Sequence, residues 1–258
     1  MRPVAELALA AFDVLWDDLK LGGMPFPLEV PSHGETLDER ARIKAAVRDE
    51  LTRRRLFHRG RPAPELEDAL RLLAAPELGV SLVVMQDQSG TMPANAVVAC
   101  RGRQAVIAVQ RERTIGLTEV RDTAVITSLI DLLPHYRPGP GRSVTLPAPA
   151  APARHNQSDI RLTRPMTAQG AGQAEMRQLA AIMERPILRA GMLGVSLRDG
   201  QGKPRRLPGL TWLDNDQGRY LLSVKRGRDG NDWTTLSPAD NPRLATRLGE
   251  ILASARRG

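Results

Sequence analysis

The sequence predicts an α+β fold with a quasi-two-fold internal repeat. The first observation is a pentapeptide, Leu-Gly-Val-Ser-Leu, that occurs at residues 78–82 and again at 193–197. The second is that the flanks agree: each copy follows a helical stretch with a proline and precedes short strands and another helix. The third is a proline-rich stretch between the two units. Chance similarity between two ordinary α+β units is the alternative.

The helices ahead of the two copies each have one apolar face. Pro76 closes the first helix and Pro186 the second, because proline cannot continue a helix. The residues predicted to face inward are Leu66, Ala69, Leu70 and Leu73 in the first helix, and Met176, Leu179, Ala180 and Met183 in the second.

A hairpin, one further strand and a helix are predicted after each copy. The strands are 96–100, 104–109 and 115–117 in the first unit, and 210–214, 219–224 and 233–236 in the second. Thr118 is the predicted N-cap of the helix that ends the first unit. In the second unit Pro242 would disrupt a helix begun at Ser237. Asn241 is therefore the predicted N-cap and Pro242 the first helical residue.

Further elements precede and separate these units. Residues 3–9 are a predicted strand, and Phe12, Leu15, Trp16 and Leu19 form a helical face after it. Thr36 and Glu39 have the spacing of a capping box that opens the next helix. We expect an N-terminal half at 1–136, a C-terminal half at 174–258 and a connector at 137–173, in one compact domain. The connector contains a short candidate strand, 143–146, as the counterpart of 3–9.

Composition favours a protein that stays inside the cell. Of the 258 residues 41% are hydrophobic but only 3% are aromatic, so the core must be aliphatic. The single cysteine, Cys100, cannot form an internal disulfide, which suits a reducing cytosol. The apolar stretch 4–16 is interrupted by Glu6 and Asp13, unlike a signal peptide. No apolar run approaches the roughly 20 residues that cross a bilayer, and we expect a cytoplasmic protein.

The net charge of +8 comes almost entirely from arginine. One interpretation is a surface for nucleic acid or an acidic partner, and the other is a set of solvated hairpin tips. A binder of single strands would need aromatic stacking platforms, and aromatic residues such as Tyr220 are scarce within the dense regions. The two dense regions are Arg101, Arg103, Arg111, Arg113 and Arg121, then Lys203, Arg205, Arg206, Arg219, Lys225, Arg226 and Arg228.

The sequence carries no recognisable reaction centre. It has no phosphate-binding glycine loop, and the serines of the two pentapeptides lie inside strand patterns rather than at a sharp nucleophile turn. Its four histidines are not at metal-ligand spacing. The alternative that the protein is an enzyme has only Cys100, His33 and His135 as candidate catalytic residues. We therefore expect a binding protein with no catalytic residue, no cofactor and no metal.

Several segments resemble the EspG family, the ESX secretion-associated chaperones of actinobacterial type VII secretion. The resemblance spans nearly the whole chain and rests on order and pattern. It is carried by residues 28–34 leading into 39–41, by 66–73, by 138–144 and by the ending 233–252.

The resemblance implies a fold and a function. The fold is a central, largely antiparallel sheet flanked by two helical bundles. The function is that of a cytosolic specific chaperone, which buries the apolar helical tip of the PPE member of a PE–PPE heterodimer and delivers it to the secretion system. A basic nucleic-acid-binding module is the alternative.

The resemblance also implies partner contacts from the sheet, the C-terminal bundle and the loop after the family's second strand. Met85 and Met92 are added as adaptable apolar contacts. The predicted contact residues are Met85, Asp87, Gln88, Ser89, Gly90, Thr91, Met92, Met183, Leu188, Trp212, Leu213 and Tyr220.

Overall fold

The structure is a computed structural model that describes residues 1–147, 173–198, 202–227 and 230–257. The helices are α1 (Leu9–Asp18), α2 (Leu37–Arg53), α3 (Pro64–Ala74), α4 (Val125–Ile130), α5 (Gln173–Met183) and α6 (Asn241–Arg257). The strands are β1 (Arg2–Ala8), β2 (Phe57–His58), β3 (Arg61–Pro62), β4 (Leu78–Asp87), β5 (Asn95–Arg101), β6 (Gln104–Gln110), β7 (Thr114–Arg121), β8 (Val144–Pro147), β9 (Ile187–Arg198), β10 (Pro204–Arg206), β11 (Leu210–Asn215), β12 (Gly218–Arg226) and β13 (Asp232–Pro238).

One large sheet runs through both halves of the chain. Its strand order is β1-β7-β6-β5-β4-β9-β11-β12-β13-β8, with β10 paired to β9, and its neighbouring strands run antiparallel. The order of the first five strands is mirrored by the last five, so β1 and β8 occupy equivalent edges. The predicted α+β class is confirmed. The strand predicted at 143–146 is β8, which covers Val144–Pro147.

The two pentapeptides pair with each other at the centre of this sheet. Val80 lies opposite Val195, with Leu78 opposite Leu197 and Leu82 opposite Leu193. A local two-fold axis perpendicular to the sheet therefore passes between Val80 and Val195. The repeat is one strand used twice across this axis, which confirms the quasi-two-fold relation.

The identical sequence separates large from small side chains across the sheet. Because side chains alternate along a strand, the leucines and valines of both copies lie on one face and the glycines and serines on the other. Val80, Leu82, Leu193 and Val195 pack with α4 and α6 in the largest core cluster. We call this the α4–α6 face, and the other side the opposite face.

The opposite face is covered differently in the two halves. In the first half α1, α2 and α3 pack on it, with Phe12, Leu51 and Leu70 completely buried. In the second half α5 packs on the end near β8 and β13, where Leu179 and Ile182 meet Leu213 and Tyr220. Between these two helical layers, part of the sheet has no helix over it among the described residues.

Several local predictions need correction. Thr118 lies inside β7, and a 3-10 turn at Asp122–Ala124 leads into α4 instead. Asp240 caps α6, since its carboxylate accepts from the Arg243 amide at 2.9 Å; Asn241 is the first helical residue. The capping box opens α2, but Glu39 accepts from the amide of Glu35 rather than from that of Thr36.

The buried side of α5 also differs from the prediction. Leu179 and Ile182 are buried, whereas Ala180 and Met183 are exposed. The prediction is therefore confirmed for Leu179 and wrong for Ala180 and Met183, whose place on the buried side is taken by Ile182. The prediction for Met176 lies outside the side chains that the structure describes, as does the connector segment 148–172.

A buried charge cluster holds the second half together. The Asp214 carboxylate and the Arg219 side chain are both fully buried, with Arg219 Nε 2.6 Å from Asp214 Oδ1. Arg189 Nε lies 3.0 Å from Asp214 Oδ2. Arg219 also donates to the Pro134 carbonyl at 3.2 Å and to the side-chain oxygen of Asn241. The cluster thus ties the chain after α4, and the start of α6, to the hairpin β11–β12.

A candidate partner-binding groove

The uncovered part of the opposite face forms a groove. Its volume is about 320 Å³, within the roughly 300–1,000 Å³ typical of binding clefts. The groove crosses the central strands β4, β9, β11 and β12, beside the two-fold axis. Its apolar lining includes Phe26, Val83, Met192, Pro208, Leu222 and Val224.

The groove exists because the strands beneath it carry small side chains near the axis. Ser81 and Gly194 lie opposite each other in the β4–β9 pair, and both line the groove. A Cβ atom added to Gly194 would lie 2.7 Å from the Ser81 hydroxyl oxygen, closer than van der Waals contact. The pentapeptide therefore packs the α4–α6 face fully and leaves a shallow floor on the other side.

Exposed apolar side chains stand at the margins of the groove. Phe26 is 47% exposed and Val224 is 42% exposed, among the most exposed large hydrophobic side chains of the described residues. Phe26 comes from the loop after α1, so both halves contribute to the walls. Contact between water and an exposed apolar surface is unfavourable, so such a surface is a candidate site for another molecule to cover.

Polar groups lie at one end of the groove. The Arg206 guanidinium stacks on the Phe26 ring at 4.6 Å from the ring centre. Arg226 and Asp232 both line the groove and lie opposite each other in the β12–β13 pair. Both of these side chains are exposed.

The predicted contact loop, Asp87 to Pro93, lies at the opposite end of β4. The Asp87 carboxylate accepts from the Ser89 amide at 3.0 Å and from the Met92 amide at 2.9 Å. Burial raises the pKa of Asp87, but these hydrogen bonds outweigh burial and leave the pKa below its ordinary value. The loop is short and held by its own carboxylate, with Gln88, Ser89, Gly90 and Thr91 exposed.

The structure brings this loop together with the start of β9, where Leu188, predicted as a helix residue, lies in the strand. The Gln88 amide donates to the Leu188 carbonyl at 3.0 Å, and its side chain donates to the Ile187 carbonyl at 2.8 Å. Met85 is 43% exposed and Met183, at the end of α5, is 37% exposed. These predicted contact residues are accessible, although none of them lines the groove. Met92 instead packs against the largest core cluster.

Three predicted contact residues have no accessible surface. Trp212 is 0% exposed, Tyr220 1% and Leu213 2%. Trp212 packs on the α4–α6 face, while Leu213 and Tyr220 pack under α5. These aromatic and aliphatic side chains belong to the core rather than to the accessible surface, because helices cover the hairpin that carries them.

Sequence reasoning missed most of the groove. Phe26 lies in a proline-rich loop near the N-terminus. The sequence gives no sign that the other apolar lining residues differ from ordinary strand residues; these are Val83, Met192, Leu222 and Val224. Only the tertiary arrangement shows that no described helix covers them. The one available signal was the paired Gly and Ser of the pentapeptide, which predicts a side-chain-poor patch wherever the two copies meet.

The residues that motivated an enzyme do not assemble into a site. Cys100 is buried, and burial raises the pKa of its thiol, with Asp122 and Glu77 adding to the shift. The His33 ring lies 3.3 Å from the Asp13 carboxylate in a contact between α1 and the loop before α2. Across the described ranges there is no cluster of three or more His, Cys, Asp or Glu side chains that could hold a metal ion. No described helix is long and apolar enough to cross a membrane.

Comparisons with known proteins identify relatives of this arrangement. A family model described as the EspG family matches residues 8–250. Among solved structures, the chain is similar to the Mycobacterium tuberculosis type VII secretion system chaperone EspG5, solved in complex with the PE25–PPE41 dimer. The TM-score is 0.64 at 14% sequence identity, covering 96% of this chain and 95% of that one, which shows a common fold. A comparison with curated protein sequences finds no match.

Proposed function

This chain belongs to the EspG family, and from that premise we propose that it is a type VII secretion chaperone that binds a PE–PPE heterodimer. The observation that carries the proposal is family membership across residues 8–250 combined with the apolar groove on the central sheet. The proposed occupant of the groove is the apolar helical tip of the PPE member. The proposed place of action is the cytosol, before the pair reaches the secretion machine.

The physical basis is the burial of apolar surface that would otherwise aggregate. Burying one leucine- or phenylalanine-sized side chain contributes about 1.5–3 kcal/mol. A helical tip carrying a few such side chains would cover Phe26 and Val224 and fill the floor over Ser81 and Gly194. Met192 can adapt its flexible thioether side chain to different tips. Met85, Met183 and the exposed part of the 87–93 loop are proposed as additional contacts at the edge.

The proposed action is binding without a chemical step. Shielding and release of a helical tip need complementary surface and reversible affinity, and neither requires a nucleophile or a cofactor. Replacing Cys100, His33 and His135 together by alanine should leave partner binding intact. Loss of binding in that variant, with the fold retained, would contradict a purely binding role.

Co-expression provides the direct test. The chain is tagged and co-expressed with each PE–PPE pair encoded in the same genome, and affinity purification should recover a soluble complex with one copy of each protein. Val224→Arg and Met192→Arg place a charge in the groove and should abolish recovery. Leu37→Arg is the matched control, since Leu37 is 90% exposed at the start of α2 and away from the groove.

The possible results of the co-expression test distinguish failure of the proposed function from failure of the proposed groove. Recovery of no pair by the wild-type chain would overturn the proposed function. Recovery that is unaffected by either groove variant would keep the partner class but reject the groove. Far-ultraviolet circular dichroism and thermal melting of each purified variant show whether lost binding reflects lost fold.

A further inference from the structure

The sheet places a set of cations at one end of the molecule. Arg101 lies opposite Gln104, which lies opposite Arg121, so three neighbouring strands end side by side. One residue further into the sheet, Cys100 lies opposite Leu78, Leu78 opposite Leu197, and Leu197 opposite Arg205. The same end of the sheet therefore extends from β5 across β4 and β9 to β10. We call this the basic end, defined by the exposed residues Arg101, Arg103, Arg121, Arg205, Arg206 and Arg226.

These cations have no carboxylate partner within the part of the chain that the structure describes, a property that they share with some other exposed arginines such as Arg111 and Arg113. None of the basic-end arginines forms an ion pair with a carboxylate of the described residues, whereas Arg2, Arg40, Lys44, Arg48, Arg54, Arg71 and Arg247 all do. Two carboxylates at this end are engaged by the backbone. Glu77 accepts from the Gly102 amide at 3.1 Å and Asp122 from the Thr123 amide at 3.0 Å.

The basic end is continuous with the groove. Arg226 lines the groove directly, and Arg206 stacks on Phe26, which forms one wall. Arg206 lies opposite Ser196, and Ser196 lies opposite Gly79, so Arg206 is on the face that carries the groove. A molecule seated in the groove would therefore meet Arg206 and Arg226 at its margin, with the exposed Asp232 carboxylate opposite Arg226.

We infer that the basic end recognises acidic side chains that flank the apolar tip of the partner helix. This inference rests on the proposed function and adds the chemistry that selects among partners. Arg206 and Arg226 form the central contacts, because guanidinium groups bind carboxylates bidentately. The outer arginines, including Arg101 and Arg121, attract the acidic surface from a distance and raise the association rate.

An acidic protein segment fits this surface better than a nucleic acid. Single-stranded nucleic acid needs aromatic platforms between the cations, and the Phe26 ring is already stacked by Arg206. The cations also border an apolar groove, and a helix with apolar and acidic faces satisfies both parts at once. A phosphate backbone would leave the groove unfilled.

The test uses two labelled amphipathic helical peptides of about 18 residues. Both have the same leucine face, and their remaining positions carry mainly Glu in one and Gln in the other. At about 50 mM NaCl the Glu peptide should bind about tenfold more tightly by fluorescence anisotropy, and at about 500 mM NaCl this preference should largely vanish. The double variant Arg206→Glu/Arg226→Glu should lose the preference at both salt concentrations.

A matched control exists at the other end of the sheet. Arg111 and Arg113 flank the turn between β6 and β7, are exposed and form no ion pair with any described carboxylate. Arg111→Glu/Arg113→Glu changes the net charge equally and should keep the preference. Equal binding of the two peptides, no binding of either, or equal effects of both double variants would overturn the inference. Tighter binding of a single-stranded DNA of matched charge than of the Glu peptide would also overturn it.

Failure of this inference is distinguishable from failure of the proposed function. If a PE–PPE pair co-purifies and Val224→Arg abolishes its recovery, the chaperone function holds whatever the peptides show. If Arg206→Glu/Arg226→Glu leaves that recovery and its salt dependence unchanged, the basic end has no part in it.

Discussion

The two halves of this protein share a central strand but differ in what lies over it. In the first half three helices cover the opposite face of the sheet. In the second half α5 covers only one end, and the groove occupies the rest of the face among the described residues. Because the pentapeptide is the same in both halves, the difference in exposure comes from the covering elements. The repeat supplies a scaffold, and the unequal covering creates a binding surface.

The halves also differ in how they hold their charges. In the first half Asp13 of α1 pairs with Arg40 of α2 in a mostly covered contact, whereas Asp17 and Asp18 pair with Lys44 and Arg48 closer to solvent. In the second half Asp214 and Arg219 are paired in a fully buried cluster. Charges in water contribute little on pairing, whereas a buried charge that loses its partner is costly. The second half therefore depends more strongly on its ion pair.

The largest predicted effect breaks that buried cluster. Asp214→Ala leaves Arg219 and Arg189 without their carboxylate, and we expect a loss of about 3–5 kcal/mol in the free energy of unfolding. The matched change in the first half, Asp18→Ala, should cost less than about 1 kcal/mol. Urea unfolding followed by circular dichroism measures both. Similar losses for the two variants would remove this distinction between the halves.

The next prediction uses the symmetry itself. A Cβ atom at Gly79 would lie 2.7 Å from the Ser196 hydroxyl oxygen, just as one at Gly194 would lie 2.7 Å from that of Ser81. Gly79→Ala and Gly194→Ala should therefore destabilise the protein equally, by about 1–2 kcal/mol each.

Binding should separate these two glycine variants. Only Gly194 lines the groove, so Gly194→Ala should weaken recovery of a PE–PPE pair while Gly79→Ala leaves it unchanged. Equal melting temperatures with unequal binding would place the partner on the second half. Unequal stability losses would contradict the local symmetry at the axis.

The smallest predicted effect concerns pH and the first half. Burial raises the pKa of Asp18, but hydrogen bonds from Lys44 and Arg48 outweigh it and leave the pKa below the ordinary value. A lowered folded-state pKa means that the unfolded chain takes up the proton first as pH falls. The ion pairs should thus stabilise the protein above about pH 4 and lose their contribution below it.

The measurement is unfolding stability from pH 6 to pH 3 in the wild type and in Asp18→Asn. Because the ion pairs between α1 and α2 are partly solvated, the difference between the two proteins should stay below about 1 kcal/mol and shrink as pH falls. A difference that grows toward acid pH would have the wrong sign for this mechanism.

Local patterns in the sequence predicted the fold more fully than the site. The pentapeptide, the hairpin turns and the prolines each determine structure over a few neighbouring residues. The strands, turns and helix ends lie close to the positions that these patterns predict. The cap at Asp240 was missed by one residue because Asp240 and Asn241 are both good capping residues. The class of partner followed from the resemblance to a family rather than from any motif.

The groove could not be predicted because exposure is a property of the whole fold. Val224 and Trp212 both read as apolar strand residues, yet one is 42% exposed and the other is 0% exposed. Trp212 and Tyr220 were predicted as contacts because the resemblance implies partner contacts from the sheet. In this chain aromatic residues are scarce, and Trp212 and Tyr220 are used inside the hairpin at the core.

The pairing of β4 with β9 also determines what happens if the chain is divided. Each of these strands would become a bare edge, offering unpaired amides and carbonyls to any other strand in solution. Fragments cut in the connector would then self-associate or aggregate instead of folding as independent modules. Because both copies belong to one chain, β4 and β9 pair with each other and neither strand is left as an unpaired edge.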